Sequence, residues 1–157
     1  MSKRYDNSGL RFLYPENWTI SDETQGERLR SVSLQTPTGG FWIAQIHAES
    51  DPHQITLQVL KTMREEYEQV EAEPVVESLA GRDLVGFDMQ FCCLDLLVGA
   101  SVRSVPLGSK GSNGKLTLLV MYQAEDREYD RLKPVFEAML MNLLENLDDC
   151  STAPSRL

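Results

Sequence analysis

From Leu132 to Leu147 the chain sets Leu132, Val135, Phe136, Met139, Leu140, Leu143, Leu144 and Leu147 at three- and four-residue intervals. That spacing winds all eight side chains onto one side of an α-helix, and a face so broad must be covered by other parts of the fold. A second stripe, Ile55, Val59, Leu60, Met63, Tyr67 and Val70, predicts another amphipathic helix running to about residue 69. Its start is well marked, because Asp51 can cap, Pro52 suits the first helical position, and Gln54 stands where a capping box wants Gln or Glu. For the later helix Asp130 is read as the cap. Pro134 then falls in the first turn, where no backbone donor is lost, and residues 126 to 130 form a separate turn.

The segments between and before the helices alternate with a period of two. Leu10, Phe12 and Tyr14 alternate with Arg11 and Leu13 before Pro15-Glu16-Asn17, and Trp18 to Ser21 is extended again, so these residues predict a small N-terminal hairpin. Residues 29 to 36 alternate as Leu29, Ser31, Ser33 against Arg30, Val32, Leu34. Pro37-Thr38-Gly39-Gly40 turns the chain into Phe41 to Glu49, giving two antiparallel strands. From Pro74 to Val105 the pattern is strand-like again, clearest where Val85, Phe87, Met89, Phe91 and Cys93 alternate with Leu84, Gly86, Asp88, Gln90 and Cys92. The first set reads as a core face. Residues 108 to 114 form a loop whose Asn113-Gly114 pair suits a hairpin, with Leu116 to Tyr122 as the returning strand. The whole predicts an α+β domain: an antiparallel sheet covered by amphipathic helices.

With 157 residues and 41% hydrophobic content, the chain fits a single domain over 1–147, followed by a flexible C-terminal tail over 148–157. No apolar run is long enough to cross a bilayer, and the polar start lacks the apolar core of a signal peptide, so the expected location is cytoplasmic. Cys92 and Cys93 are adjacent and Cys150 lies near the tail, an arrangement unlike a disulfide framework. The net charge of −9 disfavours binding to nucleic acids and to anionic membranes, whose affinity comes from Lys and Arg. An acidic surface keeps a domain soluble and steers it towards basic partners.

Candidate chemistry is sparse. His47, Glu49, Asp51 and His53 fall at alternate positions where a strand meets a helix, a spacing that invites a zinc or nickel site. Alternation ends once Pro52 starts the helix, however, and Asp51 is needed as its cap, so no metal is assigned. The glycine- and lysine-containing loop near Lys110 and Lys115 departs from a phosphate cradle: Ser109 stands where the first glycine belongs and Leu116 where Ser or Thr would bind magnesium. No Gly-x-Ser-x-Gly elbow occurs, and Cys92 and Cys93, read as mid-strand residues, are expected to be buried inert thiols. No catalytic residue, cofactor or cofactor-binding residue is assigned. Tyr14, Trp18, Phe41 and Trp42 are the candidate interface or pocket residues, with core packing as the simpler role.

Gly9-Leu-Arg-Phe-Leu-Tyr-Pro-Glu-Asn-Trp18 resembles the opening of PsbP-like (Mog/PsbP-type) domains, in which an aromatic strand precedes a Tyr-Pro-x-x-Trp turn. The order of predicted elements over residues 5 to 147 is similar too, and Tyr129 to Leu144 looks like the family's closing helix. The resemblance implies an α/β/α sandwich, in a bacterial member, used for binding proteins rather than for catalysis. It carries no catalytic residue to any position here. The expectation is a non-enzymatic protein-binding or scaffolding domain with an unidentified protein partner, in which a homodimer is compatible with the sequence. The alternatives are a small-molecule carrier with a pocket near Trp18 and Trp42, and an acidic secretion-type chaperone.

Overall fold

The computed structural model describes residues 1–7, 9–25, 28–107 and 116–152, with side chains described for these except 25, 28–30 and 148–152. Among the described residues nine strands and two helices follow one another as β1 (Ser2–Asn7), β2 (Leu10–Pro15), β3 (Thr19–Gln25), β4 (Arg28–Gln35), β5 (Phe41–Ala48), α1 (Pro52–Glu66), β6 (Glu71–Leu79), β7 (Arg82–Cys93), β8 (Leu96–Leu107), β9 (Leu116–Glu125) and α2 (Asp126–Thr152). Seven strands form one antiparallel sheet in the order β3-β4-β5-β9-β8-β7-β6, while β1 and β2 pair separately.

The helices lie on opposite faces of the large sheet. On one face, α2 and β2 bury Val32, Leu34, Trp42, Leu118, Val120 and Tyr122 against Phe136, Leu140, Leu143 and Leu144. On the other, Leu60 and Met63 of α1 pack on Met89, Phe91, Val102 and Leu119. Strand alternation makes this two-sided burial possible: β9 sends Leu118, Val120 and Tyr122 towards α2 and Leu119 towards α1. The fold is thus an α+β sandwich with helix, sheet and helix in layers.

The start of α1 is as expected. Asp51 accepts hydrogen bonds from the amides of His53 and Gln54 at 3.1 and 3.3 Å, with Pro52 at the first helical position. The helix ends at Glu66 rather than near residue 69, because Tyr67 is extended and Gln69 adopts a positive φ of 54° that turns the chain into β6.

Several expectations are corrected. Residues 10–14 do not form a hairpin with 18–21: β2 pairs with β1, and β3 belongs to the large sheet, paired with β4. A turn closed by Trp18 N donating to Pro15 O carries the chain from one layer to the next. The free edge of β2 is taken up by α2, where Asn142 Oδ1 accepts from Leu13 N at 2.8 Å and Asn146 Nδ2 donates to Arg11 O at 3.2 Å. Asp130 is not a cap, since α2 starts at Asp126 and Pro134 lies inside it. Continuing the helix back to Asp126 brings Tyr129 onto the sheet, within hydrogen-bond distance of Ser101, although Pro134 supplies no backbone donor. In β7 both faces contribute to cores, with Leu84 on the α2 side and Met89 and Phe91 on the α1 side. The expected loop and Asn113-Gly114 turn lie outside the described residues, as do residues 153–157 of the expected tail.

Candidate functional site

The four aromatic candidates separate. Trp42 is fully buried with its ring 4.9 Å from that of Phe12, Trp18 lies edge-on to Phe136 at 5.6 Å, and Tyr14 is in the same core. Phe41, one residue from Trp42, faces the opposite side of β5 and is partly exposed.

That side of β5 belongs to a half of the sheet left open among the described residues. Helix α1 packs on β7, β8 and β9. Over β3, β4 and β5 the same face presents Ser21 beside Ser33, Ser33 opposite Ile43, Gln35 opposite Phe41, and Ser31 opposite Gln45. Ser21 and Gln35 are exposed, and Phe41, Ile43 and their neighbour Met121 are partly exposed. Among the residues whose side chains are described, the result is a platform of hydroxyls and amides with an apolar centre and Glu23 at its margin.

The histidine and carboxylate cluster does not gather. His47 Nε2 is 2.9 Å from Gln45 Oε1, while Asp51 serves its helix. Among the described residues no three His, Cys, Asp or Glu side chains form a group able to hold a metal ion. Cys92 and Cys93 are not mid-strand. They end β7 just before its hairpin, so Cys92 is exposed and Cys93 half-buried, both as thiols.

Two features of that hairpin were not legible from residue spacing. Leu94 and Asp95 are the two residues of the tight turn, with φ of 50° and 66°, a conformation that usually selects Asn-Gly. Leu94 is 92% exposed, followed by Leu96 and Leu97 at 47% and 40%. Beside this apolar tip, an open groove of about 720 Å³ runs between the end of α1 and β7. Its floor includes Tyr67 and Phe91, whose rings stack at 4.4 Å, and its rim carries Glu66, Glu68, Glu71 and Asp95. Burial, with Cys93 and Glu66 nearby, pushes the Tyr67 hydroxyl pKa up.

A buried polar cluster was also missed. Arg103, 4% exposed, pairs with Glu77 on β6 and Asp88 on β7 and donates to the carbonyls of Phe87 and Val102. Ser101 Oγ donates to Asp88 and lies 2.5 Å from the Tyr129 hydroxyl of α2. Burial raises the Tyr129 pKa, and it raises that of the adjoining Tyr122 further. Ser101 and Arg103 are sealed from solvent while the Glu77 and Asp88 side chains reach the surface, and the cluster fastens α2 to the sheet. Alternation showed only a polar residue in a strand at 103, and its two acids come from separate strands.

No protein-family model matches the chain, and a search of curated proteins found none similar. Solved structures do match. CyanoP, the cyanobacterial PsbP of Synechocystis sp. PCC 6803, superposes with a TM-score of 0.61 at 14% identity, covering 90% of each chain. The fold is PsbP-like. LpqN of Mycobacterium tuberculosis, a protein involved in cell envelope biogenesis, shares this PsbP-like architecture at a TM-score of 0.61 and 12% identity, over 88% of this chain and 87% of its own. Protein PA94 of Pseudomonas aeruginosa is similar at 0.52 and 10%, over 90% and 95%. Among the described residues no helix of the PsbP-like sandwich is long and apolar enough to cross a membrane.

Proposed function

We propose that this chain is a non-enzymatic protein-binding domain that engages its partner with the open half of its sheet. The supporting observation is the platform over β3, β4 and β5, where Phe41 and Ile43 stay partly exposed amid Ser21, Ser33, Gln35 and Gln45. On a chain of net charge −9, the described side chains of this platform carry charge only at Glu23 on its margin, and protein interfaces commonly combine a small apolar centre with a polar rim. The resemblance in fold to PsbP and LpqN is compatible with such a role, although function belongs to sites rather than folds.

The test is co-purification from the native cell with the wild-type chain and a Phe41→Ser/Ile43→Ser variant. The expected outcome is a defined partner recovered with wild type and lost with the variant, while circular dichroism shows both folded. Recovery of the same partner with both, or of a tightly bound small molecule and no protein, would overturn the reading.

A further inference from the structure

The groove at the end of α1 differs from the open platform in charge and in shape. Its rim is acidic, its lining residues include no Lys, Arg or His, and Leu94 and Leu97 project beside a floor of Tyr67 and Phe91. The last carbonyls of α1 point towards the same end of the molecule, adding the negative pole of the helix to the field of Glu66 and Glu68. Arg64 sits in the last turn of α1 but is not part of the groove.

We propose that this groove docks a basic segment of a partner protein that carries an apolar anchor. Lysine or arginine side chains of the segment meet Glu66, Glu68, Glu71 and Asp95, and the anchor packs against Leu94, Leu97 and the stacked Tyr67. Charge complementarity selects the occupant. A second copy of this chain would bring the same acids face to face, and an anionic lipid surface would be repelled by the rim before the leucines reached it. A segment with lysines but no apolar residue would leave Leu94 in water, and an acidic amphipathic one would meet like charge. The inference does not depend on the open platform, which lies over β3 to β5, whereas the groove adjoins β6 and the β7–β8 turn.

The test is a fluorescence anisotropy titration with a short labelled peptide of alternating lysine and leucine. Two matched peptides serve as controls, one with glutamate for lysine and one with serine for leucine. The lysine–leucine peptide is expected to bind best, and more weakly as salt rises. Two variants should each reduce its affinity about tenfold or more: Leu94→Asn/Asp95→Gly, and Glu66→Gln/Glu68→Gln/Glu71→Gln. The first installs residues that the turn conformation favours, and circular dichroism of both variants separates a loss of binding from unfolding. The Phe41→Ser/Ile43→Ser variant should bind the peptide like wild type. Unchanged affinity in either groove variant, equal binding of a control peptide, or association with phosphatidylglycerol vesicles that the Leu94 variant abolishes would overturn the proposal.

Discussion

Arg103 Nη2 lies 2.8 Å from Asp88 Oδ1, joining a buried cation of the sheet to a carboxylate that remains 42% exposed. The pair is asymmetric: losing the arginine strips a buried cluster of its centre, whereas losing the carboxylate leaves Arg103 with Glu77 and two carbonyls. Arg103→Ala should therefore cost about 3 kcal/mol, while Asp88→Asn should cost about 1 kcal/mol or less. Urea denaturation of the two variants measures the difference, and equal losses would show that the cluster does not have this hierarchy.

Alkaline pH tests the tyrosines. Tyr5 donates to Asp22 Oδ2 at 2.8 Å, and burial together with that hydrogen bond raises its pKa from 10.0 to about 12. Tyr122 and Tyr129 are raised too, chiefly by burial. Because the folded state holds these protons more tightly, their stabilisation is complete below about pH 10 and is lost as pH rises through the folded values. The melting temperature should fall between about pH 10 and 12, with a shallower slope in Tyr5→Phe over that window. An unchanged melting temperature there would refute the assignment.

Gly86 sits between Val75 and Arg103, and a Cβ built on it would come 1.8 Å from the carbonyl oxygen of Val102. Backbone cannot yield as a side chain can, so Gly86→Ala should cost about 3 kcal/mol or more. At Gly99 the obstacle is the ring of Tyr129, at 2.9 Å, a side chain whose displacement disturbs its contact with Ser101 but leaves the backbone in place. Gly99→Ala should be the milder substitution, and guanidinium denaturation midpoints would reveal the opposite order if the close approach at Gly86 were unimportant.

Ser104 Oγ is buried on β8 with no hydrogen-bond partner among the described residues. Removing the hydroxyl removes a desolvated group without loss of a bond. Ser104→Ala should therefore stabilise by about 1 kcal/mol and raise the melting temperature by about 2–4 °C. A lower melting temperature would mean that the hydroxyl is satisfied.

The helical stripes were readable because each helix buries one continuous face, and the cap at Asp51 is a local signal contained in four residues. The PsbP-like sandwich was legible from the order of such elements and the Tyr14-Pro15 to Trp18 turn. The start of α2 was not, because Asp130 and Pro134 suggest a boundary locally while Tyr129 gains its partner, Ser101, from a strand 28 residues away. Leu94 escaped notice for a related reason. Within a run of apolar residues, which leucine faces water depends on where β7 turns back on itself.

The sequence by itself determined the periods: two amphipathic helices, alternating strands, and an acidic chain with few residues suited to catalysis. These follow from spacing along the backbone, which local geometry fixes. Only the tertiary structure decided which faces meet. It sent β2 to β1 instead of β3, put Trp18 and Trp42 inside and left Phe41 partly open, and drew Glu77, Asp88 and Arg103 from three strands into one cluster. Such pairings join residues distant along the chain, and their free energies come from packing and desolvation that no short stretch of sequence contains.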